Sequence, residues 1–123
     1  DVIQQYEIRV SEQIDEKPKL TLQKDLAEIL VSNMLGNAIK HNIQGGTINI
    51  RLTAGMFSVE NTGKVLDRAP ENMFRRHEKM PGREESPGLG LSIIKKIAEM
   101  NRMNISYSSK QNFHTLSLEF NTY

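Results

Sequence analysis

At 123 residues the chain has the length of one domain, and about two-thirds of its unfolded surface can be buried, enough for a core without staples. A composition of 37% hydrophobic and 25% charged residues excludes a disordered chain, and a net charge of +1 argues against a protein whose main task is to coat nucleic acid or an anionic membrane. The absence of Cys excludes disulfides, thiolate metal sites and cysteine catalysis.

No run approaches the roughly 20 apolar residues that span a bilayer, and Asp1–Gln5 has neither the basic start nor the apolar stretch of a signal peptide. The chain begins at Asp1 rather than Met, so the expectation is a piece of something longer. Tyr6, Ile8 and Val10 alternate, as do Leu20 and Leu22, predicting two short strands with a turn at Pro18. From Lys24 to His41 the pattern becomes helical, with Ala27, Val31, Met34, Leu35, Ala38 and Ile39 on one broad arc. Asn42 and Gly45-Gly46 end that helix. Ile48, Ile50 and Leu52 then alternate with polar neighbours, and a turn at Ala54-Gly55 leads to a second strand carrying Phe57 and Val59.

Residues 64–85 differ in texture, because 11 of these 22 are charged and three prolines lie in or beside them. Such a stretch buries little and reads as a long surface segment, with Met73-Phe74 as its apolar anchor. After Gly88 and Gly90 a helix runs to about Met100, with Leu91, Ile94, Ile97 and Ala98 inward and Lys95, Lys96 and Glu99 outward; Asn101 is its expected C-cap. Strands through Ile105–Tyr107 and Leu116–Phe120 close the chain. The fold expected is an α/β two-layer sandwich, a mixed and mostly antiparallel sheet with helices over one face.

Three polar constellations stand out. Asn33, Asn37, Lys40 and His41 share one helical face, and Asn is a poor mid-helix residue. An amide oxygen suits Mg²⁺ and a Lys suits phosphate, although a plain solvated face gives the same pattern. Ser86-Pro87-Gly88-Leu89-Gly90-Leu91 opens a helix whose unpaired N–H groups fit an anion, or is an ordinary loop-to-helix junction. Glu60-Asn61-Thr62-Gly63 ends a strand in a polar turn, where Asn61 either meets a ligand or caps the turn.

Taken in order, these segments resemble the ATP-binding domain of two-component sensor histidine kinases, within the superfamily that includes gyrase, the heat-shock chaperone and the mismatch-repair ATPases. Leu30 to Asn42 is similar to that family's N box, Gly88-Leu89-Gly90-Leu91-Ser92 to its second glycine box, and Phe74 falls where its phenylalanine box is expected. The resemblance implies a Bergerat-type ATP-binding fold over residues 1–123, with a mobile ATP lid at about 64–88. It implies that Asn37 ligates Mg²⁺ and that Asn33 supports it. Lys40 reaches phosphate and His41 flanks the nucleotide. Asn61, where the family usually has Asp, and Gly63 meet adenine. Lys79 ends the phenylalanine box, and Gly88, Leu89, Gly90 and Leu91 cradle phosphate. Three positions depart from the pattern: Asn61, Val65 in place of a second Gly, and Ser86 in place of a Gly.

The implied activity is that of a protein histidine kinase: Mg-ATP is bound and its γ-phosphoryl presented to a histidine on a separate dimerisation domain. His77-Glu78-Lys79-Met80-Pro81 only mimics a phosphoacceptor, because its Pro comes one residue early and no heptads surround it. His114, in a strand pattern, reads as structural. The phosphoacceptor is thus expected outside this chain, which would itself be monomeric, bind ATP and ADP, serve a response regulator indirectly, and bind no nucleic acid. The expected place is a cytoplasmic domain of a membrane-anchored parent. Two alternatives share the nucleotide fold, an anti-sigma-type serine kinase regulator and a degenerate nucleotide-binding interaction module.

Overall fold

The computed structural model describes residues 2–15, 22–64, 79–80, 83–87 and 89–120, and side-chain surroundings at 3–15, 22–64 and 91–120. A short helix α1 (Val2–Gln5) precedes β1 (Arg9–Ile14), the long helix α2 (Lys24–Lys40), and the hairpin of β2 (Thr47–Leu52) and β3 (Met56–Thr62). Then come β4 (Lys79–Met80), β5 (Arg83–Pro87), α3 (Leu89–Met100), β6 (Asn104–Lys110) and β7 (Phe113–Glu119).

Alternation dictates the sheet. Val59, Leu116 and Leu118 are buried on one side of their strands, and Ile48 joins them from β2. The strand order is β1-β2-β3-β7-β6, with β1 and β2 parallel and the other neighbours antiparallel, which is the expected mixed sheet. Helices α2 and α3 pack on each other, α2 against β3 and α3 against β6. The core between them includes Leu30, Met34 and Ala38 of α2 and Leu91, Ile94, Ile97 and Ala98 of α3. Tertiary packing of this kind, rather than propensity, stabilises helices of such length.

The α3 stripe is the one its spacing predicts, and its end is chemically defined. Asn101 caps the last turn, Arg102 adopts φ 57°, and the Met103 amide reaches back to the Ala98 carbonyl at 2.8 Å. That is the i→i−5 bond of a Schellman turn, with Arg where Gly is usual.

Several expectations change. Tyr6 lies in the turn after α1, and the first strand is Arg9–Ile14; Leu22 is outside any strand, and Leu20 and Pro18 lie outside the described residues. The buried file on α2 is Leu30, Met34 and Ala38, whereas Val31 is exposed, a rotation of the arc by about one residue. Helix α3 begins at Leu89, so Gly90 sits in its first turn, where amides have no helical partner in any case. The charged stretch includes β4 and β5, which pair antiparallel. Met73, Phe74 and His77 lie outside the described residues.

The sheet face away from the core is polar. One file of residues in register runs Ser11–Asn49–Glu60–Thr115–Ser108, from β1 through β6. Ser11 Oγ donates to Asn49 Oδ1, Asn49 Nδ2 to Glu60 Oε1 at 3.0 Å, and Thr115 Oγ1 to Glu60 Oε2 at 3.4 Å.

Candidate functional site

The polar residues of α2 fall beside its buried file. Asn33 is half-buried and donates its Nδ2 to the Ile29 carbonyl one turn back, at 2.7 Å, the local bond that short polar side chains form in helices. Asn37, one turn further on, differs. Its Nδ2 is buried and has no hydrogen-bond partner among the described residues. Buried amides are nearly always paired, so this one is available to something outside the described fold. His41 caps the helix, its amide donating to the Asn37 carbonyl at 3.0 Å. Lys40, exposed in the last turn, borders a hollow of about 370 Å³ together with Tyr6 and Ile43.

The end of β3 comes up against that helix end. Asn61 is half-buried, in register with Ile48 on one side and His114 on the other, and its Nδ2 donates to the Thr62 carbonyl at 2.8 Å. Gly63 is buried where a Cβ would come within 2.8 Å of the His41 carbonyl oxygen and 3.1 Å of His114 Cδ2. Only a residue without a side chain lets the two segments approach so closely. The fold therefore brings together His41, Asn61 and Gly63, which lie up to 22 residues apart in the chain, and adds His114 from β7.

A buried network fixes this junction. Thr62 Oγ1 donates to Asn42 Oδ1 at 2.6 Å and accepts the Thr47 amide at 2.9 Å, while Asn42 Nδ2 donates to the Thr47 carbonyl at 3.0 Å. Asn42 Oδ1 also accepts the Ile43 amide at 2.8 Å. Asn42 and Thr62 are 7% and 6% exposed, so these bonds replace water and are costly to break. A Cβ on Gly46 would overlap Asn42 Oδ1 and Thr62 Oγ1. Neither Asn42 nor Thr62 announced this role in the sequence, where the only signal was the glycine pair.

On the far side of the loop, His114 is 4% exposed, with Nδ1 2.9 Å from the Tyr107 hydroxyl and Nε2 2.6 Å from the Lys64 carbonyl oxygen. Burial pushes the Tyr107 phenol up to about 12.

The remaining positions are placed less fully. Leu91 is 6% exposed and its side chain is spent in the core, leaving its backbone for any ligand. Leu89 and Gly90 form the first turn of α3 and Lys79 opens β4, described as backbone; Val65 and Gly88 lie outside the described residues. Among the described residues no cluster of three or more His, Cys, Asp or Glu is arranged to hold a metal. No helix there is long and apolar enough to cross a membrane.

Comparison with known proteins agrees with this architecture. Sensor protein QseC of Escherichia coli strain K12 is 34% identical over 95 residues, covering 76% of this chain and 21% of QseC. Heme sensor protein HssS of Staphylococcus aureus is 33% identical over 90 residues, covering 69% of this chain and 20% of HssS. The chain thus spans about a fifth of the length of these curated relatives. Among solved structures, the catalytic domain of histidine kinase ThkA superposes with a TM-score of 0.80 at 22% identity, covering 98% of this chain and 82% of that one. The cytoplasmic segment of histidine kinase QseC gives 0.71 at 24% identity, covering 98% and 66%. Full-length ShkA, solved in complex with AMPPNP, gives 0.77 at 16% identity, covering 99% and 27%. Residues 22–121 match the family of histidine kinase-, DNA gyrase B- and HSP90-like ATPases, and the chain belongs to that family.

Proposed function

We propose that this chain binds Mg-ATP and holds its γ-phosphoryl for transfer to a histidine on a separate dimerisation domain of a parent sensor kinase, whose response regulator then receives the phosphoryl. The observation that carries the reading is the buried Nδ2 of Asn37, an N–H donor with no partner among the described residues and so suited to a phosphate oxygen, on the helix whose end meets Asn61 and Gly63. The donor set fits Mg²⁺, which takes few protein ligands and completes its shell with water and phosphate oxygens, so the lack of an acidic cage among the described residues is no obstacle. Asn37 would hold the ion through its amide oxygen, and when bound the ion offsets the charge of the transferring phosphates.

The chain's own residues supply positioning rather than covalent chemistry. Lys40, exposed at the end of α2, meets phosphate as a point charge, and Asn33 supports the polar face one turn before Asn37. His41 flanks the nucleotide. Asn61 accepts a hydrogen bond from the adenine amino group through its side-chain oxygen, a weaker acceptor than the carboxylate usual there, and Gly63 keeps that place open. Lys79 and the backbone of Leu89, Gly90 and Leu91 in the first turn of α3 meet the phosphates together with Gly88, which, like most of the lid segment expected at about 64–88, lies outside the described residues. ShkA, which contains the same fold, was solved in complex with AMPPNP, which is compatible with a nucleotide ligand.

Calorimetry on wild type and Asn37→Ala tests the proposal. Mg-ATP binding should weaken at least about tenfold in the variant, with a melting temperature within about 4 °C of wild type, since an orphaned amide contributes little to the fold. No binding by wild type at millimolar nucleotide would favour the degenerate interaction module, and an unfolded variant would show Asn37 to be structural.

A further inference from the structure

The end of β3 is tethered at three successive residues, each to a different element. Thr62 is held by Asn42 and Thr47, the Gly63 amide donates to the Asn112 carbonyl at 2.8 Å, and the Lys64 carbonyl lies 2.6 Å from His114 Nε2. The last tether is the one made by an ionisable ring. A carbonyl oxygen only accepts, so Nε2 carries the hydrogen, and in the neutral ring Nδ1 then accepts from the Tyr107 hydroxyl. Both ring nitrogens are thereby committed, in a residue that is 4% exposed. His114 is also the register partner of Asn61, and its Cδ2 is the side-chain atom nearest to where a Cβ on Gly63 would stand.

We propose that His114 is a positioning residue for base recognition: through the Lys64 carbonyl it fixes the exit of β3 and so aims the side chain of Asn61, with Tyr107 pairing its Nδ1. The proposal rests on the nucleotide reading above and adds to it the residue that keeps the base-recognising amide in place. It separates two parts of the site, because the phosphate-facing residues of α2 and α3 are not attached to this loop through His114.

The test compares three variants of the 123-residue chain, using Mg-ADP and magnesium tripolyphosphate as probes and amide exchange of Gly63 as a ligand-free readout. His114→Asn keeps a polar group beside Tyr107 but is too short to reach Lys64, whereas His114→Gln carries an N–H to about the Nε2 position. The expected result is a loss of Mg-ADP affinity of about 5–30-fold in His114→Asn, with tripolyphosphate within about twofold of wild type, and recovery of most of the loss in His114→Gln. Gly63 exchange should quicken in His114→Asn and stay near wild type in His114→Gln. Tyr107→Phe, which leaves Nδ1 of His114 unpaired and so loosens the imidazole while keeping the phenyl ring in place, should weaken Mg-ADP selectively in the same sense and serves if His114→Asn does not fold. Equal weakening of both probes, unchanged Mg-ADP affinity, or no difference between the Asn and Gln variants overturns the proposal. A wild type that binds neither probe overturns the nucleotide reading instead, and the Gly63 exchange rates then decide the tether, equal rates in wild type and His114→Asn refuting it.

Discussion

Replacing Thr62 by Val is the sharpest probe of the junction between the end of α2 and the end of β3. The shapes match closely, so the change removes one hydroxyl and adds no cavity. That hydroxyl donates to Asn42 Oδ1 at 2.6 Å and accepts the Thr47 amide at 2.9 Å. Losing two bonds forfeits about 1 kcal/mol each, and leaving the Thr47 amide unpaired costs a further 1–3 kcal/mol or so. Asn42 Oδ1 is spared a full penalty because it still accepts the Ile43 amide. The extra apolar methyl returns about 1 kcal/mol. The net expectation is a destabilisation of about 2–4 kcal/mol, read as a fall in melting temperature of about 8–15 °C for a domain of this size. Chemical denaturation of wild type, Thr62→Val and Thr62→Ser measures it. The Ser variant keeps the hydroxyl and should lose only about 1 kcal/mol for its methyl. If Val is tolerated within 1 kcal/mol of wild type, or Ser proves as harmful as Val, the network does not hold the junction and the reasoning fails.

Gly46→Ala drives a methyl onto Asn42 Oδ1 and Thr62 Oγ1 and should destabilise at least as much as Thr62→Val. Combined in one chain the two losses should fall short of their sum, because both break the same network, and a double-mutant cycle that is additive within about 0.5 kcal/mol would refute the shared origin. Burial raises the Tyr107 phenol to about 12, so unfolding releases its proton from about pH 10 upward. The neutral phenol's contribution is therefore fully present below pH 10 and is lost as pH climbs toward 12, in all about 2–3 kcal/mol. Urea titrations between pH 9 and 12 should show wild type losing stability more steeply than Tyr107→Phe, and parallel slopes would remove burial as the cause.

Much of the layered architecture was legible because burial imposes a period. The α3 stripe of Leu91, Ile94, Ile97 and Ala98 and the hairpin alternation around Ile48 and Val59 are both found as the spacing predicts. The misses occur where no period is imposed. Strand β1 is exposed at every position, so Arg9–Ile14 carries no one-sided burial to betray it, and the apparent alternation of Tyr6, Ile8 and Val10 straddles a turn. On α2, apolar Ile29 and Val31 are exposed beside the buried file, which blurred the edge of the stripe. The candidate site was legible where one helix face or one strand end carries it. The Thr62–Asn42–Thr47 network and the Lys64–His114–Tyr107 chain join residues up to 50 apart, and pairings at that range become visible only once the sheet has been assembled.

The polar file across the outer face of the sheet has a consequence for how the strands find their alignment. Glu60 receives one bond from Asn49 of β2 and one from Thr115 of β7, so a single carboxylate gauges the position of both its neighbours. A slip of one residue in β2 would carry Asn49 to the opposite side and present Ile48 or Ile50 to water in its stead. Misalignment is thus penalised on the wet side as well as the dry one, and the file acts as a vernier that proofreads the assembled strands.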